Sequence, residues 1–302
     1  MKTITNTGKT IILCLSILLS ISNLQGQTFE KLNHIKGHNL ETYYSNGSNT
    51  EAEYMAALCD SVISFYSASI NFKPKVTLLV LSPTDWNTYT HFPVYGMPHY
   101  PNEQTLVVAA EDNGFWKSML PPIDQLPKDI AQQISNTYVD NTGNLTMREF
   151  FDLLAIHELG HAFHEQGNLT MQRKWIGELF CNMFLHNYIA EKQPELLPAL
   201  TVFPNMVVHS TNKNDLKFTT LGEFEENYGL MASQFPQNYG WYQCRLHTAA
   251  GRIYDETGVS AFQKLWNVLQ VNNEPLDDTA LATLLLNNVH ENVANVQLKW
   301  DN

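Results

Sequence analysis

The sequence predicts an α+β fold, with a mixed α/β amino-terminal part carrying a small sheet and a mostly helical carboxy-terminal part. Two runs supply the sheet. Residues 75–81 (Lys75-Val76-Thr77-Leu78-Leu79-Val80-Leu81) are short, apolar or β-branched, and bounded by Pro74 and Pro83. Residues 105–110 repeat that character. Both have the length and composition of buried strands. Beyond Gly167 the apolar residues fall at helical spacing almost to the end of the chain. The 302 residues contain no internal repeat and no low-complexity segment. The expected division is 1–26 as a targeting segment, 27–167 as a first lobe and 168–302 as a helical second lobe.

In chain order, Lys2 and Lys9 precede an apolar run over residues 11–21. That run has signal-peptide length and is short for a membrane span. Gly26 offers a small residue for cleavage before Gln27, so export to a periplasm or the exterior is expected, with no stable membrane insertion afterwards. Residues 29–44 suggest one strand, and Asn46-Gly47-Ser48-Asn49 a turn. Residues 51–70 read as a helix with Ala57, Leu58, Val62, Phe65 and Tyr66 at helical spacing. A short helix and loop are expected over 86–96. Pro93, Pro98 and Pro101 mark 93–102 as loop. Residues 115–144 read as irregular, with a possible helix at 128–138. The next helix is set at 146–166, opened by a Thr146/Glu149 capping box and closed by Gly167 and Asn168. A second apolar helix runs to about Ala190. Residues 205–221 read as a polar break. Helices follow at 239–257, stopped by Gly258, at 260–270, and at 277–286 with Asp277 or Asp278 as N-cap.

Charge narrows the partners. The net charge is −12, and removal of Lys2 and Lys9 leaves 16 basic against 30 acidic residues, a net −14. An acidic body argues against nucleic acid and anionic membrane surfaces. The acids are scattered, as on a solvated surface. Cys59, Cys181 and Cys244 remain after the targeting segment, without a C-x-x-C pair, and read as buried free thiols.

The helix at 146–166 carries His157-Glu158-Leu159-Gly160-His161. Its two histidines stand one turn apart, about 40° round the axis, and project from one face. They can hold one cation, while Glu158, about 100° away, stands beside that cation as a base for a metal-bound water. Phe150, Phe151, Leu153, Leu154, Ile156, Leu159 and Phe163 make the helix largely buried, so its histidines need partners. A third ligand is offered by Glu178 in Trp175-Ile176-Gly177-Glu178, with sixteen residues between it and His161, enough for a loop and an antiparallel return.

Over residues 150–188 this pattern resembles the gluzincin metallopeptidases, within the peptidase MA-like group, where a Trp-x-x-Glu helix follows the His-Glu helix. The resemblance implies a zincin-like two-lobed fold with the metal in the cleft between the lobes. It implies Zn²⁺ held by His157, His161 and Glu178, Glu158 as general base, and a peptide or protein substrate. In that fold a strand such as 106–110 lies at the sheet edge, where an extended peptide can add; an interior strand is the plain alternative. Where the family often has an Asp four residues after the Glu, this chain has Asn182, expected to orient His157. An oxyanion donor from the helical part is also implied, with Tyr239 or Tyr242 placed best and Tyr228 and His247 as alternatives. His164 reads as a helix-end residue, and His186 as a structural histidine. The alternatives to a peptidase are a zinc hydrolase of a non-peptide amide and a binding protein with a structural metal.

Overall fold

A computed structural model describes residues 29–140 and 142–301. The expected targeting segment lies outside the described residues. Leu32–Asn302 form one compact unit. No described helix is long and apolar enough to cross a membrane.

Five strands make one sheet: β1 (Asn33–Ile35), β2 (Glu41–Tyr44), β3 (Thr77–Leu81), β4 (His99–Asn102) and β5 (Thr105–Ala109), in the spatial order β1-β2-β3-β5-β4. β2, β3 and β5 are parallel; β1 and β4 run antiparallel at the two edges. The 29–44 segment therefore holds two strands rather than one, reversed through Gly37 at φ +104°. The crossover from β2 to β3 is α1 (Asn49–Ile70), which ends at Asn71 in the left-handed conformation. α2 (Pro83–Tyr89) follows β3, with the Ser82 hydroxyl accepting from Asp85 N.

The strand over residues 106–110 is interior, which corrects the edge placement implied by the resemblance. β4 covers β5 with His99 opposite Val107 and Asn102 opposite Thr105. The prolines at 98 and 101 hid β4 in the sequence. An edge strand leaves alternate N–H groups unpaired, so Pro101 costs it no ladder bond there. All five residues of β5 are buried.

Two short helices, α3 (Gly114–Ser118) and α4 (Lys128–Thr137), lead to α5 (Arg148–Gln166). The expected capping box is not formed. The helix starts two residues later than predicted, and the Thr146 hydroxyl accepts from Arg148 N at 3.1 Å. α5 packs against α1, β4 and β5. Its far side meets α6 (Lys174–Lys192), in which every residue from Trp175 to Ile189 is buried. A helix apolar nearly all round has to lie at the centre of its layer.

The remaining helices follow, the first four of them packing against α6. They are α7 (Leu197–Ser210), α8 (Leu221–Gln234), α9 (Pro236–Thr257), α10 (Ser260–Val271), α11 (Asp278–Asn288) and α12 (Glu291–Leu298). α7 continues through the expected break at 205 and stops at Ser210. α8 opens with a true capping box, Thr220 with Glu223. Asp277 caps α11 through Ala280 N, as its position predicts. Cys59, Cys181 and Cys244 are buried and unbridged. The fold is thus α+β, with all strands before residue 110 and helices alone after 167.

Candidate metal centre

The centre is built where α5 and α6 come closest. A methyl group on Gly160 would stand 3.1 Å from the Cα and Sγ of Cys181, so a larger residue there would press the two helices apart by a few tenths of an ångström. This approach sets His157 and His161 of α5 against Glu178 and Cys181 of α6.

The two imidazoles stand with ring centroids 5.1 Å apart. Ligand atoms of His157, His161 and Cys181 lie within 4.8 Å of one another, a group able to hold a metal ion. Donors around one tetrahedral cation stand roughly 3.3–3.8 Å apart, given metal–N near 2.1 Å and metal–S near 2.3 Å. Small side-chain rotations close that difference. Glu178, the expected third ligand, is not one of that group; it approaches from α6 with Oε2 3.3 Å from His157 Nε2. The nitrogen, sulfur and carboxylate donors suit a borderline divalent ion such as Zn²⁺ rather than Mg²⁺ or Ca²⁺.

Surrounding groups orient these donors. His161 Nδ1 is hydrogen-bonded to His164 Nε2 at 2.9 Å, which leaves Nε2 of His161 for a cation. His164 lies in the last turn of α5, as expected, but it is not exposed there. It is buried three positions on, edge-on to Phe180 of α6. Burial, with His157 nearby, lowers His161 to about 4, and burial with His161 lowers His164 to about 3. Both are neutral, the form a metal requires. Glu178 is held by three donors: the Tyr228 hydroxyl on Oε1 at 2.5 Å, Gln243 Nε2 on Oε2 at 2.8 Å, and His157. Burial pushes its carboxyl up, but the His157 hydrogen bond, the histidine charges and Tyr228 outweigh this and hold it well below the usual range. For His157, burial is overcome by the bond to and charge of Glu178, so its pKa rises.

Glu158 has the opposite environment. It is half-buried with no hydrogen bond among the described residues, and burial raises its carboxyl to about 7 against the pull of His157, with Glu178 and Glu165 adding to the rise. Two neighbouring carboxyls thus have widely separated pKa values, the usual sign of divided roles. From the sheet, the Tyr100 hydroxyl of β4 is buried without a hydrogen-bond partner; burial, then the Glu158 charge, raise it far above its ordinary value.

Of the two tyrosines expected to lean into the cleft, the structure brings one. The Tyr239 hydroxyl lies 3.3 Å from that of Tyr228, and burial and Glu178 raise its pKa. Tyr242 does not reach the centre. Its hydroxyl donates to Thr220 O at 2.7 Å, and its ring stacks on Trp300. The phase of α9 separates them: Tyr239, Gln243 and His247 repeat every four residues along the side facing α6, and Tyr242 falls off that row.

Asn182 is buried on the α6 row, but its Oδ1 accepts from His247 Nδ1 at 3.1 Å, and its Nδ2 donates to Glu178 O at 2.9 Å. His157 Nδ1 has no hydrogen-bond partner, so the expected Asn182–His157 bond is not made. His247 competes for the same oxygen from the facing helix. Sequence reasoning also missed Gln243 and Cys181. Their signal was the alternation of polar residues at 178 and 182 with a cysteine at 181, inside a helix with no solvent face.

Comparison with protein-family models and with curated proteins gives no match for this chain.

Proposed function

We infer that the chain is an exported zinc-dependent peptidase of gluzincin type, whose site is His157, His161, Glu178 and the base Glu158. The observation that carries this reading is geometric: His157 and His161 of α5 stand together with their ligand atoms turned to α6, Glu178 Oε2 lies 3.3 Å from His157 Nε2, and Glu158 stands beside them without a hydrogen bond among the described residues. A metal held by the histidines and Glu178 supplies Lewis acidity, which lowers the pKa of water and polarises a scissile carbonyl. Glu158 takes a proton from the attacking water and returns it to the leaving amine, a task that suits a carboxyl poised near neutrality. Tyr239 stands ready to donate toward an oxyanion, while the Tyr228 hydroxyl proton is held by Glu178. The edge strand β4 offers unpaired backbone groups to an extended peptide. Nucleic acid is disfavoured by the acidic body.

One observation favours a second reading. Cys181 belongs to the donor group, and a thiolate there would complete four protein ligands, the mark of a structural site. A binding protein with a closed metal site would follow. Metal analysis, a peptide-library digest with and without chelator, and the absorption spectrum of the cobalt form separate the two. The peptidase reading expects about one metal per chain, chelator-sensitive cleavage lost by about 10²-fold or more in Glu158→Gln with metal retained, and no thiolate-to-cobalt band. A strong thiolate band with no cleavage would sink it in favour of the closed site.

A further inference from the structure

The face of α9 turned away from the metal centre carries a second feature. A cleft of about 590 Å³ lies between the later half of α9 and α12, lined by Arg245, Arg252, Lys299, Asn295, Asp255 and Glu256. Arg245 and Arg252 are seven residues apart, about two turns, and so share one side of the helix.

Arg245 is held in place. Its guanidinium lies 4.0 Å over the Trp300 ring and 4.9 Å over Trp241, and its Nη2 donates to Trp300 O at 2.7 Å. Its Nη1 is buried with no acceptor. That nitrogen is closed to solvent and so to a ligand in the cleft; what Arg245 brings to the cleft is a positive charge fixed by the two tryptophans. The other two cations are unpaired as well. The lysine and arginine ion pairs among the described residues are Lys117–Asp112, Arg148 with Glu51 and Asp152, and Arg173–Asp278. None involves Arg245, Arg252 or Lys299. Burial and then the nearby Arg252 charge lower the Arg245 pKa, partly offset by the charge of Asp301.

We propose that this cleft binds a small molecule bearing a carboxylate or phosphate group, seated between Arg252 and Lys299 beside the fixed guanidinium of Arg245. Planar arginine donors match such oxygens two at a time, and the volume suits a metabolite-sized ligand. Asp255 and Glu256, one turn beyond Arg252, line the same cleft and disfavour polyanions. The site is independent of the metal centre, since Gln243 and His247 use the opposite side of α9.

The test uses the full chain, stripped of metal by chelator so that no anion can bind through a cation. Inorganic phosphate and succinate are titrated calorimetrically at constant ionic strength, with thermal unfolding in parallel. Binding of either anion is expected, weakened at least tenfold by Arg252→Gln and by Lys299→Gln, two exposed positions where folding is not at stake. Binding of phosphate alone identifies a phosphoryl ligand, and of succinate alone a carboxylate. Asp255→Asn is expected to tighten whichever binds. Absence of binding by both anions, or undiminished binding by both Gln variants, overturns the proposal.

Discussion

Gly160→Ala tests how the metal centre is assembled. The added methyl would meet three atoms of Cys181: Cα and Sγ at 3.1 Å and Cβ at 3.2 Å. Comfortable carbon contacts lie near 3.5–4.0 Å, so α5 and α6 must part by about half an ångström. Two of the three atoms belong to or adjoin the backbone, so no rotamer change of Cys181 relieves them. Overpacking of this kind costs about 1–3 kcal/mol. Alanine returns about 1 kcal/mol through helix propensity, and the expected net loss is about 0–2 kcal/mol in the metal-free protein. Metal binding draws the helices back together and restores the strain that separation had relaxed. At 1.4 kcal/mol per tenfold, about 1–2 kcal/mol of restored strain lowers affinity by roughly 5- to 30-fold. Gly177→Ala on α6 is the control, because its methyl would find only Met171 Cγ at an ordinary 3.8 Å. Thermal unfolding with and without zinc, and competition against a chelator of known affinity, give both quantities. A Gly160→Ala protein with parental zinc affinity and parental stability would refute the reasoning.

Tyr239→Phe should lower kcat, whereas Tyr242→Phe should cost about 1 kcal/mol of stability through its lost bond to Thr220 O and leave turnover unchanged; equal kcat values for both would remove Tyr239 from the site. Asn182→Leu leaves His247 Nδ1 buried and unpaired, so unfolding free energy should drop by about 1–3 kcal/mol even without metal, measured by denaturant titration. The metal-free protein should lose stability as pH falls from 6.5 toward 4. His161 and His164 are held neutral in the fold, so the unfolded chain binds more protons across that window. Glu158 acts in reverse: its folded carboxyl keeps a proton to about 7 against 4.5 when free, so its contribution weakens as pH rises between those values. Stability curves of the parent and Glu158→Gln should therefore diverge between pH 4.5 and 7, and parallel curves would contradict the assigned environment.

The sequence was most legible where one residue type admits one structure. The His-Glu helix and the Trp-x-x-Glu helix could be placed because apolar residues run through both at helical spacing. Gly258 and Asp277 punctuated the later helices through backbone conformation and capping. Legibility failed where a partner decides. His164 has the composition of a helix end, yet Phe180 of α6 covers it. Asn182 has the right spacing to serve His157, but His247 takes its oxygen from across the interface. Tyr239 and Tyr242 are equivalent as letters and differ only in the rotation of α9, which packing against α6 sets. β4 was hidden by prolines that an edge strand tolerates.

The burial of α6 on every side has a consequence for hydrogen exchange. Amides near Glu178 and Cys181 can be reached by solvent only when the helix loses its neighbours, so they should exchange through global unfolding, among the slowest in the chain. α8, which carries Tyr228, buries only Phe224 and Met231 and should open locally far more often. The centre is thus joined from a slow element and a fast one. Glu178 and Cys181 stay fixed on the slow element, while the hydroxyl on Glu178 can leave and return with the fraying of a peripheral helix.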